Sequence, residues 1–191
     1  ARADGQHIAG IAAHIAAARK AGKRVVLFLD PQAIEGQAAE VAGRIAQATG
    51  VELMTPTAFR RMARGQGAVD IARLPYVVDL GVKALADCDE LILIGANAPV
   101  AFFAYPGKAS EIAPASCQVR RLSRTEEDAL LALQDLAEAL NVPANGASRA
   151  AAPAIDLTGP TSGKLTSAAV NRLTLKALPE GAIVVDESVT S

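Results

Sequence analysis

The sequence predicts an α/β protein, an open parallel sheet with helices on both faces, and three observations predict it. Two runs, 24–29 (RVVLFL) after its opening arginine and 91–94 (LILI), are apolar at every position instead of every second one. That is the mark of strands buried on both faces of a parallel sheet. Alanine-rich segments with helical apolar spacing alternate with these runs, which is how βαβ units read. The composition also supports a folded core: of 191 residues, 51% are hydrophobic and 20% charged, and the mean hydropathy is +0.24. Disorder over most of the length is excluded.

The elements follow in order. Residues 6–20 form an amphipathic helix, because Ile8, Ile11 and Ile15 fall on one face, and Gly22 stops it. The first strand, 24–29, is broken by Asp30-Pro31, and residues 33–48 make a second helix that ends at Gly50. Val51 to Met54 is a short second strand. Residues 55–73 read as loop, with Pro56, Gly65, Gly67 and the arginines Arg60, Arg61, Arg64 and Arg73, before Leu74-Pro75-Tyr76 opens a third helix reaching Ala86. The strand at 91–94 is closed by Gly95. After a long loop comes a strand at 117–122. Ser123 and Thr125, followed by Glu126, Glu127 and Asp128, then place caps and acids before a leucine helix that ends short of Pro143. Residues 141–163 mix Pro, Gly, Ala, Ser and Thr without period and read as an interdomain linker. Beyond it come one helix, about 165–177, and a buried-type strand, Ala182 to Val185. Since one helix and one strand make no core, the reading is a second domain barely begun. The predicted organisation is a central α/β domain over 1–142, a linker over 143–162, and the first helix and strand of a truncated domain over 163–191.

Several function classes are excluded or left unsupported. Nineteen Lys and Arg against twenty Asp and Glu leave a net charge of −1, which offers no footprint for nucleic acid or an anionic membrane. The longest apolar stretch, Leu91 to Tyr105, is interrupted by Gly95, Asn97 and Pro99 and is too short to span a bilayer. The first residues carry no apolar signal-peptide core, and a cytoplasmic protein is expected. Cys88 and Cys117 make no disulfide framework and match no metal motif; they read as small buried hydrophobes in a reducing compartment. His7 and His14 stand two helical turns apart, about 10.5 Å along the axis, too far to share one metal. No metal site is expected.

G-x-S-x-G, G-x-x-x-x-G-K-[ST] and G-x-G-x-x-G are all absent, so no nucleophile elbow, P-loop or dinucleotide fingerprint is present. The carboxyl ends of the strands are nevertheless where an open α/β sheet takes ligands. Arg60, Arg61, Arg64 and Arg73 could clamp a phosphate or an adenine nucleotide. The plainer reading, which the near-neutral whole favours, is a solvated loop or a contact with another domain. In 97–107 (NAPVAFFAYPG), Phe102, Phe103 and Tyr105 are half of the chain's six aromatics. Such a cluster could form an active-site lid, but a plug between domains or subunits is favoured, because interfaces enrich Phe and Tyr.

Taken together, ARLPYVVDLGVKAL (72–85), DELILIGANAPVAFFAYPGK (89–108), the acid-capped leucine helix and LPEGAIVVDESVTS (178–191) resemble thiamine-diphosphate enzymes of the acetolactate synthase and benzoylformate decarboxylase type. The resemblance covers essentially the whole chain. It implies that the first part is the family's nucleotide-binding-like central domain and that 163–191 opens its C-terminal, diphosphate-binding domain. The FFAYPG stretch points to the acetolactate-synthase-like members of uncertain substrate. The implied activity belongs to a longer parent, a lyase or transferase acting on a 2-oxo acid with thiamine diphosphate and Mg2+. Its activating glutamate and its metal-binding residues lie in N- and C-terminal catalytic domains outside these 191 residues. Only the run after the last strand matches a segment near the cofactor, where Thr190, with Ser188 and Ser191 behind it, is the candidate to hold the diphosphate. Hydroxyls at a strand's carboxyl end suit an anion. The fragment alone is expected to be inactive and to bind no cofactor, as a structural domain that spaces the catalytic domains and buttresses a homo-oligomer. The alternatives are an FAD- or ADP-type nucleotide-binding module and a non-catalytic dimerisation or interaction domain.

Overall fold

A computed structural model describes residues 1–29, 31–151, 157–159 and 162–186. The chain divides into two compact units, Ala1–Ala152 and Pro153–Ser191.

In the first unit, helix α1 spans Gly5–Lys20, and Asp4 caps it by accepting the His7 N–H at 2.9 Å. Gly22 adopts φ 72°, and Lys23 N–H closes back onto the Ala18 carbonyl, so the helix ends where the glycine was expected to end it. Strand β1 is Val25–Leu29. A 3-10 turn over Gln32–Ile34 precedes helix α2, Gly36–Thr49. Strand β2 is Glu52–Thr55, and a two-residue strand β3, Ala72–Arg73, follows within the stretch read as loop. Helix α3 is Val78–Leu85, strand β4 Glu90–Ile94, strand β5 Gln118–Ser123 and helix α4 Ala129–Ala139. The α4 cap is Asp128, whose carboxylate accepts the Leu131 N–H at 3.0 Å; Ser123 is the last residue of β5, and Thr125 lies outside the helix.

The sheet is all-parallel in the order β3-β2-β1-β4-β5, as the continuous apolar runs predict. Strand β1 lies at its centre, and its alternation feeds two cores. Val25, Leu27 and Leu29 face α1, α2 and α4 together with Ile15, Ile45 and Leu133, whereas Val26 and Phe28 face α3 and the loop after β4 with Leu85, Leu93 and Ile112. This two-sided burial is why no polar residue interrupts VVLFL, Val25–Leu29. The edge strand β5 shows Gln118, Val119 and Arg121 to solvent, and a charged edge discourages pairing with other chains.

The stretch expected as linker from residue 143 begins as part of this unit. Ser148 N–H donates to the Gly43 carbonyl at 2.8 Å, Ala150 N–H to Ala68 at 2.9 Å, and Val69 and Arg149 form an antiparallel bridge. Composition gave no sign of this, because the attachment uses backbone groups that every residue carries.

In the second unit, helix α5 spans Ser167–Ala177 and is capped by Thr166. None of its residues is buried. The strand expected at Ala182 to Val185 is not formed. Ile183 is 91% exposed, and no described segment pairs with it. A parallel strand is a pairing between segments, and its apolar run cannot by itself supply the partner.

Candidate functional site

Strands β1, β2, β4 and β5 end together at Leu29, Thr55, Ile94 and Ser123. Chain order reverses between β1 and β4, so the crevice beyond their carboxyl ends is the place a doubly wound sheet offers a ligand. On the β4 side the backbone is already engaged. Gly95, at φ 61°, donates its N–H to both the carbonyl and the Oγ of Ser123, each at 3.1 Å. That amide is unavailable to a phosphate. The Thr55 hydroxyl, fully buried at the end of β2, has no hydrogen-bond partner among the described residues.

On the β1 side a cleft of about 540 Å³ opens between the start of α2 and the connection from β2 to β3. Ile34, Glu35, Glu40, Arg61, Met62 and Arg149 are among the residues lining it. Its charges are matched within the protein. Arg60 and Arg61 reach the Glu35 carboxylate at 3.2 and 3.4 Å, and Arg149 holds Glu40 through two contacts of 2.7 and 2.6 Å. The hydrogen bond from Arg60 holds the Glu35 carboxyl below its ordinary value, so this group is anionic at neutral pH. It stands immediately before α2, and its charge opposes a second anion at the helix's exposed N–H groups. Arg73 turns elsewhere, donating to the Thr57 carbonyl at 2.8 Å with its guanidinium over the Phe59 ring. Of the four arginines singled out in the sequence, the structure therefore brings Arg60 and Arg61 together on Glu35. Arg73 is in a separate contact, and Arg64 makes no ion pair or hydrogen bond among the described residues.

The aromatic stretch forms one exposed surface. Phe102 packs on Tyr76 at 5.7 Å and on Phe103 at 5.0 Å, and Phe103 meets Tyr105 at 6.0 Å, the last two pairs edge-to-face. Phe102 and Phe103 remain 60% and 55% exposed, and Val77, Leu80 and Val100 are exposed as well. Solvent-facing aromatics of this kind, clustered rather than scattered, mark a contact surface more often than a finished exterior.

At the opposite end of the sheet lies a proximity that the sequence did not reveal. Cys88 and Cys117, just ahead of β4 and β5, are buried with their sulfurs 3.7 Å apart. Their 29-residue separation carries no signal; only the β4–β5 register, which sets Glu90 opposite Gln118, brings them together. Burial pushes the Cys88 thiol up to about 12 and raises Cys117 as well. His7 donates from Nε2 to the Arg121 carbonyl at 2.6 Å, while His14 is exposed. Among the described residues no three of His, Cys, Asp and Glu converge to hold a metal ion. The diphosphate candidates Ser188, Thr190 and Ser191 lie outside the described residues. No described helix is long and apolar enough to cross a membrane.

No protein-family model and no solved structure matches the chain. It is, however, 36% identical over 98% of its length to a protein of Mycobacterium tuberculosis named provisionally as the acetolactate synthase large subunit IlvX. The chain spans 38% of that relative's length. The resemblance to acetolactate-synthase-type enzymes is borne out by this relative, and the parallel sheet fits the central domain the resemblance implies.

Proposed function

We propose, with that similarity as the premise, that this chain is the central domain and the opening of the diphosphate-binding domain of a larger thiamine-diphosphate-dependent 2-oxo acid decarboxylase or carboligase. By itself it is not catalytic. The observation that carries this reading is the mismatch of coverage: likeness runs along 98% of this chain and only 38% of the relative. In the longer protein, thiamine diphosphate held with Mg2+ supplies the nucleophile toward a 2-oxo acid. The contribution of these 191 residues is mechanical. The five-stranded sheet, with a core on each face, spaces the catalytic domains. The Phe102–Phe103–Tyr105 surface packs against the rest of a cytoplasmic homo-oligomer, where burying rings already stacked edge-to-face costs little side-chain freedom. Ser188, Thr190 and Ser191 present hydroxyls to the diphosphate.

The test is carbon dioxide release from a panel of 2-oxo acids with thiamine diphosphate and Mg2+, using the longer protein and the 191-residue chain in parallel. Release by the longer protein alone supports the reading. Release by the chain alone refutes its non-catalytic role, and none from either refutes the parent activity.

A second reading, an FAD- or ADP-type nucleotide site, draws on the cleft beside Arg61 and Arg149. It requires the Glu35 and Glu40 ion pairs to open. A thermal shift of the chain with FAD or ADP supports it, and none at saturating concentration rules it out.

A further inference from the structure

Cys88 and Cys117 are unused by the functional reading above, and their geometry is independent of it. The two thiols form a directed chain: Cys117 donates to the Cys88 sulfur at 3.7 Å, and Cys88 donates to the Glu90 carbonyl at 3.3 Å. Both belong to the core on the α3 face, 3% and 8% exposed; Cys88 stands two residues before β4 and Cys117 directly before β5, two hydrogen-bonded parallel strands. Gln118 N–H donates to the Asp89 carbonyl at 2.8 Å, so the backbone that carries the cysteines is already clamped side by side. A disulfide requires the sulfurs to close from 3.7 Å to about 2.05 Å.

We propose that Cys88 and Cys117 are a modification site, a dithiol that a peroxide closes to a disulfide stapling the entry of β4 to the entry of β5. The bond closes the base of the segment that carries the aromatic surface, since Phe102, Phe103 and Tyr105 all lie between the two cysteines. The chemistry balances in two steps. The sulfur of Cys117, the more exposed thiol, attacks one oxygen of hydrogen peroxide; the O–O bond breaks, water leaves, and a sulfenic acid remains. The sulfur of Cys88 then attacks the Cys117 sulfur, the S–O bond breaks, and a second water carries away the remaining thiol proton. Overall, two thiols lose two electrons and two protons, and one peroxide becomes two waters. Burial that disfavours both thiolates makes closure slow at neutral pH and faster as pH rises, a response to sustained oxidation and not to a transient pulse. In a reducing compartment the pair rests as thiols.

The experiment treats the full reduced chain with hydrogen peroxide at pH 7.5 and pH 9, alkylates it under denaturing conditions, and maps it after trypsin. Cleavage after Lys108 separates the cysteines, so only a disulfide can hold their peptides together. The expected result is loss of two hydrogens, a Cys88–Cys117 crosslink within one chain, and faster closure at pH 9. The melting temperature should rise by about 5–10 °C and fall back on reduction, because the bond constrains the unfolded chain. Cys117→Ser should lose the crosslink and the temperature rise together. Both thiols still alkylating after peroxide has oxidised Met62 would overturn the proposal. So would a disulfide found only between chains, or a crosslinked chain that melts no higher than the reduced one.

Discussion

The same substitution at two helix positions should have opposite effects. Gly10 in α1 is exposed, and a Cβ built there meets nothing within 4 Å. Gly43 in α2 is buried, and its Cβ would stand 2.9 and 3.3 Å from the two methyls of Val69 and 3.1 Å from the Ala147 Cβ. Carbon contacts are comfortable at about 3.5 Å, so the closest approach is short by about 0.6 Å. Val69 has little room to retreat. It is branched at Cβ, and its segment is bridged to Arg149 and bonded through Asp70 N–H to the Ser148 carbonyl. Replacing glycine by alanine within a helix gains about 1 kcal/mol, whereas overpacking a filled core costs about 1–3 kcal/mol. Gly10→Ala should therefore stabilise by up to about 1 kcal/mol, and Gly43→Ala should destabilise by about 1 kcal/mol. For a chain of this length each corresponds to about 2–4 °C in melting temperature, in opposite directions. Urea denaturation of the two variants measures the difference directly. Adding Val69→Ala to Gly43→Ala removes the crowded methyls, so the double variant should lose less than the sum of the singles. Equal stabilisation by Gly43→Ala and Gly10→Ala would refute the close packing of residues 69 and 147 on α2, and with it the attachment of 147–150 to the first unit.

Three further outcomes are expected. Asp128→Ala removes the α4 cap and should cost about 1 kcal/mol in denaturant, with Asp128→Asn recovering most of it, because either side chain can accept the Leu131 N–H. Burial pushes the Cys88 thiol from its ordinary 9.0 up to about 12, so the neutral thiol's contribution is full below pH 9. That contribution is lost as pH climbs through 12, and Cys88→Ala should flatten the alkaline fall of melting temperature; an unchanged pH profile would contradict the burial that raises the thiol. Phe103→Ala should change the isolated chain's stability by less than about 1.5 kcal/mol, since the ring is largely exposed, yet loosen assembly of the longer protein in sedimentation. A fall in turnover with assembly intact would instead favour a lid.

Much of the first unit was legible because its signals are local or nearly so. Uninterrupted apolar runs announced β1 and β4; glycines at 22 and 50 announced the ends of α1 and α2, and both take left-handed backbone there. The miss at β3 has a plain cause: two residues, Ala72 and Arg73, carry no apolar period, and they are a strand only because Met54 and Thr55 lie beside them. The α4 cap was misplaced by a few residues because Ser123, Thr125 and Asp128 are all competent caps, and the backbone turn chose among them. The arginine loop was visible as a group of charges, but its partner Glu35 stands just before α2, some 25 residues away in sequence.

By itself, the amino-acid sequence determined the α/β class, the parallel central strands, the places where helices stop, and the likeness to acetolactate-synthase-type enzymes. Those follow from side-chain polarity at successive positions, which a chain carries whether folded or not. Tertiary structure alone decided which charges neutralise each other around the cleft, that residues 147–150 dock on α2, and that two cysteines 29 residues apart come within 3.7 Å. It also decided that Ala182 to Val185 is no strand here. Each of these depends on which backbone lies next to which. Register between distant segments sets that adjacency, and no local pattern of residues encodes it.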